Sequence, residues 1–395
     1  MNLMRFLSYM KHALMVVAML TIVGISGCDD DDGPTIFKGT LVELASSEQF
    51  KQSVNSDDSK SLDSLVKYLN YHGLDVVLNG AGPFTLFAPN NAAFKNLIAL
   101  PGFPADIRKI DPNIVKAVLS YHVVAGTVMK KDIVSGASFT TAFTGTVSNP
   151  DDKINVNSDG TLLTGSSNTA IQIVTSDKQA TNGVLHVTAT VLIPQTIGNT
   201  LTPILGTLAG SVFLGADFTY LVKVINNADQ GVGAGEQIRT LLATPPLTAP
   251  TNVRRTFFAP PNAFFTAAAA QSGITVDQLI ASLGTGGTSA ARFILLNHII
   301  TTNVEAKTIY TVSNVEGTGD VQFTNGLKLL SNAGKELTVA LVAPQTNPAQ
   351  AGYNPYGVAV ISPSTPPSNG AILAKDITHS NGSVLHAFGG FLKPQ

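Results

Sequence analysis

At 395 residues, with 44% apolar and only 13% charged side chains, the chain can bury more than one core of ordinary domain size, and disorder over most of its length is excluded. The formal charge is -2 and Lys and Arg form no cluster, which excludes a phosphate-gripping surface for nucleic acid. A single Cys excludes an internal disulfide.

Arg5, Lys11 and His12 lead into the apolar run ALMVVAMLTIVGI (13–25). The run is short for a bilayer span and has the length of a signal-peptide core. It ends in ISGC (25–28), which resembles the lipobox of bacterial lipoproteins, whose Cys is diacylated and becomes the first residue after cleavage. The resemblance implies a leader over 1–27 and lipid attachment at Cys28. Two acyl chains on one residue hold a protein stably on a membrane. The stretch 28–37 reads as an acidic tether carrying DDDD (29–32). A solvated spacer explains such a run. Acidic tracts in this place also resemble export signals of surface-exposed lipoproteins in some Gram-negative bacteria. The expected address is therefore the cell envelope, on the outer membrane and facing outward.

Beyond the tether, SLDSLVKYLNYHGLDVVL (61–78) predicts a helix with Gly73 as its stop. In GPFTLFAP (82–89), Phe84, Leu86 and Ala88 alternate with Thr85 and Phe87, a short strand ended by Pro89. Asn90 or Asn91 can cap the helix that follows. Asp111 and Pro112 mark another helix start, with Pro where its missing N–H is harmless. From there Ile114, Val118 and His122 fall on one stripe beside Val115 and Leu119. NVNSDG (155–160) places oxygen donors like a calcium loop, but Ser166 stands where a bidentate Glu belongs, so a hairpin turn is the better reading. TNGVLHVTATVLIP (181–194) opens on an Asn-Gly turn, with Val184, His186 and Thr188 alternating against Leu185 and Val187. A short linker follows near QTIGNTLTP (195–203).

The same boxes then recur in the same order. FTLFAPNNAAF (84–94) returns as RTFFAPPNAFF (255–265), with Thr85/Thr256, Phe87/Phe258, Ala88/Ala259, Pro89/Pro260, Asn91/Asn262, Ala92/Ala263 and Phe94/Phe265 identical. VLSYHVVAGTV (118–128) is echoed by ILLNHIITTNV (294–304), and TNGVLHVTATVLIP by SNGSVLHAFGGFLKP (380–394). Three boxes repeated in order indicate tandem duplication. The second copy is longer, and much of the excess fits 343–370, which is rich in Pro, Gly, Asn and Ser and reads as a loop.

Thr-x-Phe-Ala-Pro-x-Asn-x-Ala-Phe at 85–94, Tyr-His-Val-Val at 121–124 and Asn-Gly-Val-x-His from 182 resemble the signature of fasciclin domains. The first copy, 38–195, matches nearly throughout. The second, 197–395, drifts: Asn297 replaces the Tyr, and Ser383-Val384-Leu385-His386 replaces Gly-Val-x-His. The resemblance implies an α+β fold of two domains, each a small two-sheet β wedge flanked by short helices. It also implies secreted or anchored proteins with roles in adhesion or matrix contact.

Catalytic patterns are missing from the sequence. There is no His-Glu-x-x-His, no Gly-x-Ser-x-Gly and no phosphate-cradling loop ending in Lys-Ser or Lys-Thr. GVGAGE (231–236) lacks a strand–loop–helix frame. His122, His186, His298 and His386 each lie in an apolar run without a neighbouring carboxylate, so they read as core histidines and not as metal ligands. No enzyme activity, cofactor or metal is expected. Binding candidates are Tyr121, taken as an exposed contact of the first domain, and Tyr353 and Tyr356 in the 343–370 loop. The expected role is a lipid-anchored adhesion or scaffolding protein that meets a protein or glycan partner. The alternative is an accessory glycan- or nutrient-binding lipoprotein of an outer-membrane uptake system.

Overall fold

The computed structural model describes residues 36–52, 57–100, 102–143, 153–159, 161–163, 170–243, 253–303, 328–341, 358–362, 368–378 and 383–393. The leader, Cys28, the DDDD tract, Tyr353 and Tyr356 lie outside the described residues. The architecture is α+β, small sheets flanked by short helices, arranged as two bodies along the chain.

In the first body, α1 (Leu41–Ala45) starts with a capping box in which Thr40 and Glu43 satisfy each other's backbone N–H. Helix α2 (Asp63–His72) stops at Gly73, whose φ of 71° lies in the left-handed region that glycine enters without strain. A one-turn helix, α3 (Asp75–Leu78), follows it. Strand β1 (Phe84–Pro89) leads into α4 (Asn91–Ile98), where Asn90 accepts from the Ala93 N–H at 2.8 Å. Asp111 caps α5 (Pro112–Tyr121) through the Asn113 N–H. The strands after it are β2 (Val123–Ala125), β3 (Ser138–Thr140), β4 (Lys153–Val156), β5 (Leu162–Leu163), β6 (Ala170–Ile171), β7 (Ile173–Ala180) and β8 (Gly183–Thr188).

One sheet has the order β2-β1-β8-β7 and the other β3-β4-β5-β6; a bridge between Val124 and Thr141 joins them. Strands β1 and β8 are parallel, from Phe84 against Gly183 to Pro89 against Thr188. Alternation along β1 builds two cores. Leu86 and Ala88 face the helices with Leu65, Leu69, Phe94 and Leu119, while Phe87 faces the second sheet with Tyr121, Val124, Ile154 and Leu192.

The second body begins with α6 (Gln195–Leu201), so the linker expected there is helical. Then come α7 (Leu208–Leu214), α8 (Thr219–Ala228), α9 (Ile238–Ala243), β9 (Val253–Ala259), α10 (Asn262–Gln271), α11 (Val276–Ser282) and α12 (Ala290–His298). Its sheet runs through β10 (Ile299–Asn303), β11 (Lys328–Leu330), β12 (Glu336–Leu341), β13 (Val358–Ser362), β14 (Ser368–Thr378) and β15 (Val384–Gly390), in the order β10-β9-β15-β14-β13-β12-β11. Strand β9 pairs parallel to β15 and antiparallel to β10, which repeats the pairing of β1 with β8 and β2. The expectation of a loop over 343–370 needs correcting. Strand β13 and the first residues of β14 lie inside it, because the β-branched alternation in VAVIS outweighs the Pro- and Asn-rich flanks.

The bodies meet through backbone. Ile110 bridges to Gly215, and the Asp111 N–H donates to the Leu214 carbonyl at 2.7 Å. Gly102 sits so close to Gly206 that a Cβ on it would lie 2.0 Å from the Gly206 nitrogen. Leu201 packs against the cores of both bodies. Among the described residues, no helix is long and apolar enough to cross a membrane.

Candidate functional site

All four motif histidines are fully buried. His122 follows the last turn of α5. Its Nε2 accepts from the Leu192 N–H at 2.9 Å, which fixes the proton on Nδ1, and Nδ1 donates to the Val118 carbonyl at 2.7 Å. His298 repeats this at the end of α12: Nε2 accepts from Leu392 at 2.8 Å and Nδ1 donates to the Phe258 carbonyl at 2.6 Å. Each ring thus ties the end of a helix to the chain just past the last motif strand. Burial pushes both imidazoles down to about 4, with the carbonyl partner offsetting part of that. A second proton on Nε2 would also face an N–H that already points at it.

His186 holds the opposite tautomer. Its Nε2 donates to the Val128 carbonyl at 2.8 Å, and Nδ1 accepts from the Asp177 N–H at 3.3 Å. Burial again lowers its pKa. The ring stacks on Phe87 at 5.5 Å and 24°, and His386 stacks on Phe258 at 5.7 Å and 23°. These side chains work as fixtures of the wedge.

The expectation that Tyr121 is an exposed contact is overturned. Tyr121 has no exposed surface, its hydroxyl donates to the Lys153 carbonyl of β4 at 2.6 Å, and its ring meets Phe143 edge-on at 6.2 Å. The second sheet covers the side of α5 opposite the helical core, so this residue bolts the helix end to that sheet. Asn297, its counterpart, is also buried; it donates to the Leu392 carbonyl at 3.2 Å and accepts from the Ser331 hydroxyl at 3.0 Å. Both residues fill one structural position with different chemistry.

Several other motif residues work at long range. Asn91 Oδ1 accepts from the Ser64 N–H in the first turn of α2, and Asn262 Oδ1 accepts from the Tyr220 N–H in the first turn of α8. Asn182 is a buried hub: it accepts from Leu41 N–H at 2.9 Å and donates to the Leu78 and Gly80 carbonyls, both at 2.7 Å. Asp177 carried no sequence signal. It sits at a bulge in β7 with φ of 57°, and its carboxylate accepts from the Lys130 N–H at 2.7 Å. In the second body, Asp229 accepts from the Ile238 and Arg239 N–H groups at the start of α9 and lies 3.6 Å from Arg292, which is a helix anchor. Among the described residues, no group of three His, Cys, Asp or Glu is placed to hold a metal. NVNSDG starts in the last residues of β4, and beyond them the Asn157 N–H donates to the Thr161 carbonyl where the chain returns as β5 antiparallel to β4.

Among the described residues, open space is of two kinds: shallow pockets with mixed linings, such as the one bounded by Asn199, Thr200, Arg239 and Thr240, and one that is nearly all apolar. A cavity of about 100 Å³ lies where the first body meets α6. Phe94 and Leu97 of α4, Val115 and Leu119 of α5, and Ile197 and Leu201 of α6 form much of its wall.

Residues 60–194 match the family model described as the fasciclin domain. This segment is a fasciclin domain. Among curated proteins, the chain is similar to protein sll1483 of Synechocystis sp., 28% identical over 193 residues, which cover 47% of this chain and 99% of that protein. It is 31% identical to human stabilin-1 over 131 residues and 33% identical to transforming growth factor-beta-induced protein ig-h3 of Sus scrofa over 125 residues. Those matches cover 32% and 31% of this chain, and only 5% and 16% of the two animal proteins. A solved FAS1 domain pair from the insect cell adhesion molecule Fasciclin I aligns over 84% of this chain and 97% of its own, at 15% identity and a TM-score of 0.28. Within the fasciclin domain, the signature residues described above are spent on internal bonds.

Proposed function

We propose that this protein is a non-catalytic adhesion or scaffolding module, held on the outer membrane by lipid at Cys28 and displaying two fasciclin-like domains to a protein or glycan partner. The observation that carries this reading is the way the two bodies meet. The bridge at Ile110 and Gly215, the Asp111–Leu214 hydrogen bond and the Gly102–Gly206 approach tie the backbones of the two bodies together. Such a junction suits presentation of loops at fixed spacing. The motif histidines, spent on internal bonds, leave recognition to the outer surfaces. Lipid at the N-terminus would set the pair at the cell surface, with the acidic tract as spacer.

The test uses a Gram-negative host expressing the full chain or Cys28→Ser. Wild-type protein stays with membranes after a high-salt wash, is cut by protease added to intact cells, and increases cell–cell or cell–matrix attachment. Cys28→Ser is released and the attachment falls to background. Membrane retention of Cys28→Ser would overturn the anchor, and attachment unchanged by wild-type display would overturn the adhesive role.

A further inference from the structure

The cavity beside α6 is walled by the first body and by Ile197, Leu201, Leu205 and Leu214 at the start of the second, and the repeat bears on why it is open. Val191, in its wall, aligns with Phe391, because Leu192 and Leu392 are the paired acceptor-bound residues of the two histidine ties. Ala93 likewise aligns with Phe264. In the second body, Phe391 packs edge-on against Phe264 at 4.8 Å and Phe265 at 5.6 Å, and these rings fill the space between helices and sheet. The first body has Val191 in the cavity wall where the second has Phe391, and keeps a hollow.

The lining restricts what can enter. Tyr68 and Thr202 are its only polar side chains, and the remainder is aliphatic or Phe. Among its lining side chains a peptide main chain would find only the Tyr68 and Thr202 hydroxyls to pair with. A charged group would be stranded without a counter-ion. A dry cavity of about 150 Å³ lined by Leu, Ile and Phe accommodates benzene; 100 Å³ holds a group of that order, and not a whole acyl chain. Its mouth is marked by Leu100, 43% exposed, and by the half-buried Phe103 and Leu205.

We propose that this cavity is a binding site for a small uncharged aromatic molecule, one ring in size, at the junction between the first domain and α6. It is independent of the anchoring and adhesive reading above. Occupancy would fill the hollow between α4, α5 and α6, and so stiffen the segment from which the second body hangs.

Toluene is the probe, titrated into the full chain and followed by leucine, isoleucine and valine methyl NMR and by thermal melting. The expected result is a saturable shift of the methyls of Leu97, Leu119, Ile197 and Leu201, with a melting temperature that rises with toluene. At a concentration ten times Kd, the folded population of the first body gains about tenfold. Val191→Phe, which borrows the plug of the second copy, removes both responses. Val191→Ile, a milder filling that keeps the fold, weakens them. No methyl shift in wild type overturns the site. Undiminished binding in both variants overturns its location. Shifts of the same methyls by dodecanoate but not by toluene overturn the ring-sized class in favour of an acyl chain.

Discussion

Replacing His122 with Ala should destabilise the first body and leave the second unchanged. The ring makes two buried bonds, to the Val118 carbonyl and from the Leu192 N–H, and alanine replaces neither. An orphaned buried amide costs about 1–3 kcal/mol. The space vacated by the imidazole adds on the order of 1–2 kcal/mol at about 24 cal/mol per Å³. The loss is therefore about 2–5 kcal/mol, a large share of the 5–15 kcal/mol that holds a typical domain. The assay is urea denaturation at pH 7.5 followed by far-UV circular dichroism, since the chain has no Trp to report. His298→Ala serves as the mirror experiment, lowering the second transition and sparing the first. A loss below about 1 kcal/mol from His122→Ala would refute the reasoning, because it would mean that water or a neighbour reaches the orphaned groups.

Acid should act through the same rings. His122 and His298 fall from an ordinary value of 6.5 to about 4 on burial, so the unfolded chain binds more protons between those values. Their contribution is complete above about pH 6.5 and is lost as pH falls toward 4, roughly 3 kcal/mol for each ring; urea midpoints measured across that window check the sign. Tyr121→Phe should cost about 1 kcal/mol through the lost bond to the Lys153 carbonyl, and cell attachment should not change, whereas a surface contact would give the reverse pattern. Gly102→Ala should force the bodies apart, because its Cβ would collide with Gly206. Small-angle scattering should then report a larger radius of gyration, and an unchanged profile would contradict the tight approach.

The local signals in the sequence hold in the structure because their causes are local. Gly73, Pro89, Asn90 and the Asp111-Pro112 pair each act on the nearest turn, and the stripe through Ile114 and Val118 placed His122 inside. Tyr121 is buried against expectation because helical periodicity describes one partner surface, and α5 has two. Its second neighbour, β4, is supplied from 32 residues further on. Asn91 is a candidate cap for the helix it begins, yet its side chain caps one 27 residues earlier, and Asn262 does the same for a helix 42 residues earlier. Strand β13 was hidden by the composition of its flanks. The cavity was latent in the repeat as Val191 against Phe391, a difference in volume that means nothing until the fold puts both in a wall.

The parallel pair at the centre of each body has a consequence for how the chain reaches this state. Phe84 finds Gly183, and Thr256 finds Val384, only after nearly all the intervening sequence exists. Contacts so distant along the chain make folding slow, since the loop must close before its contacts repay the lost entropy. A chain delivered from its N-terminus would hold β1 open on one edge, with Leu86 and Phe87 uncovered, until β8 arrives. Such an intermediate is prone to aggregate. In each body the parallel pair therefore closes late, and the half of the sheet that precedes it stays the vulnerable part of the chain until then.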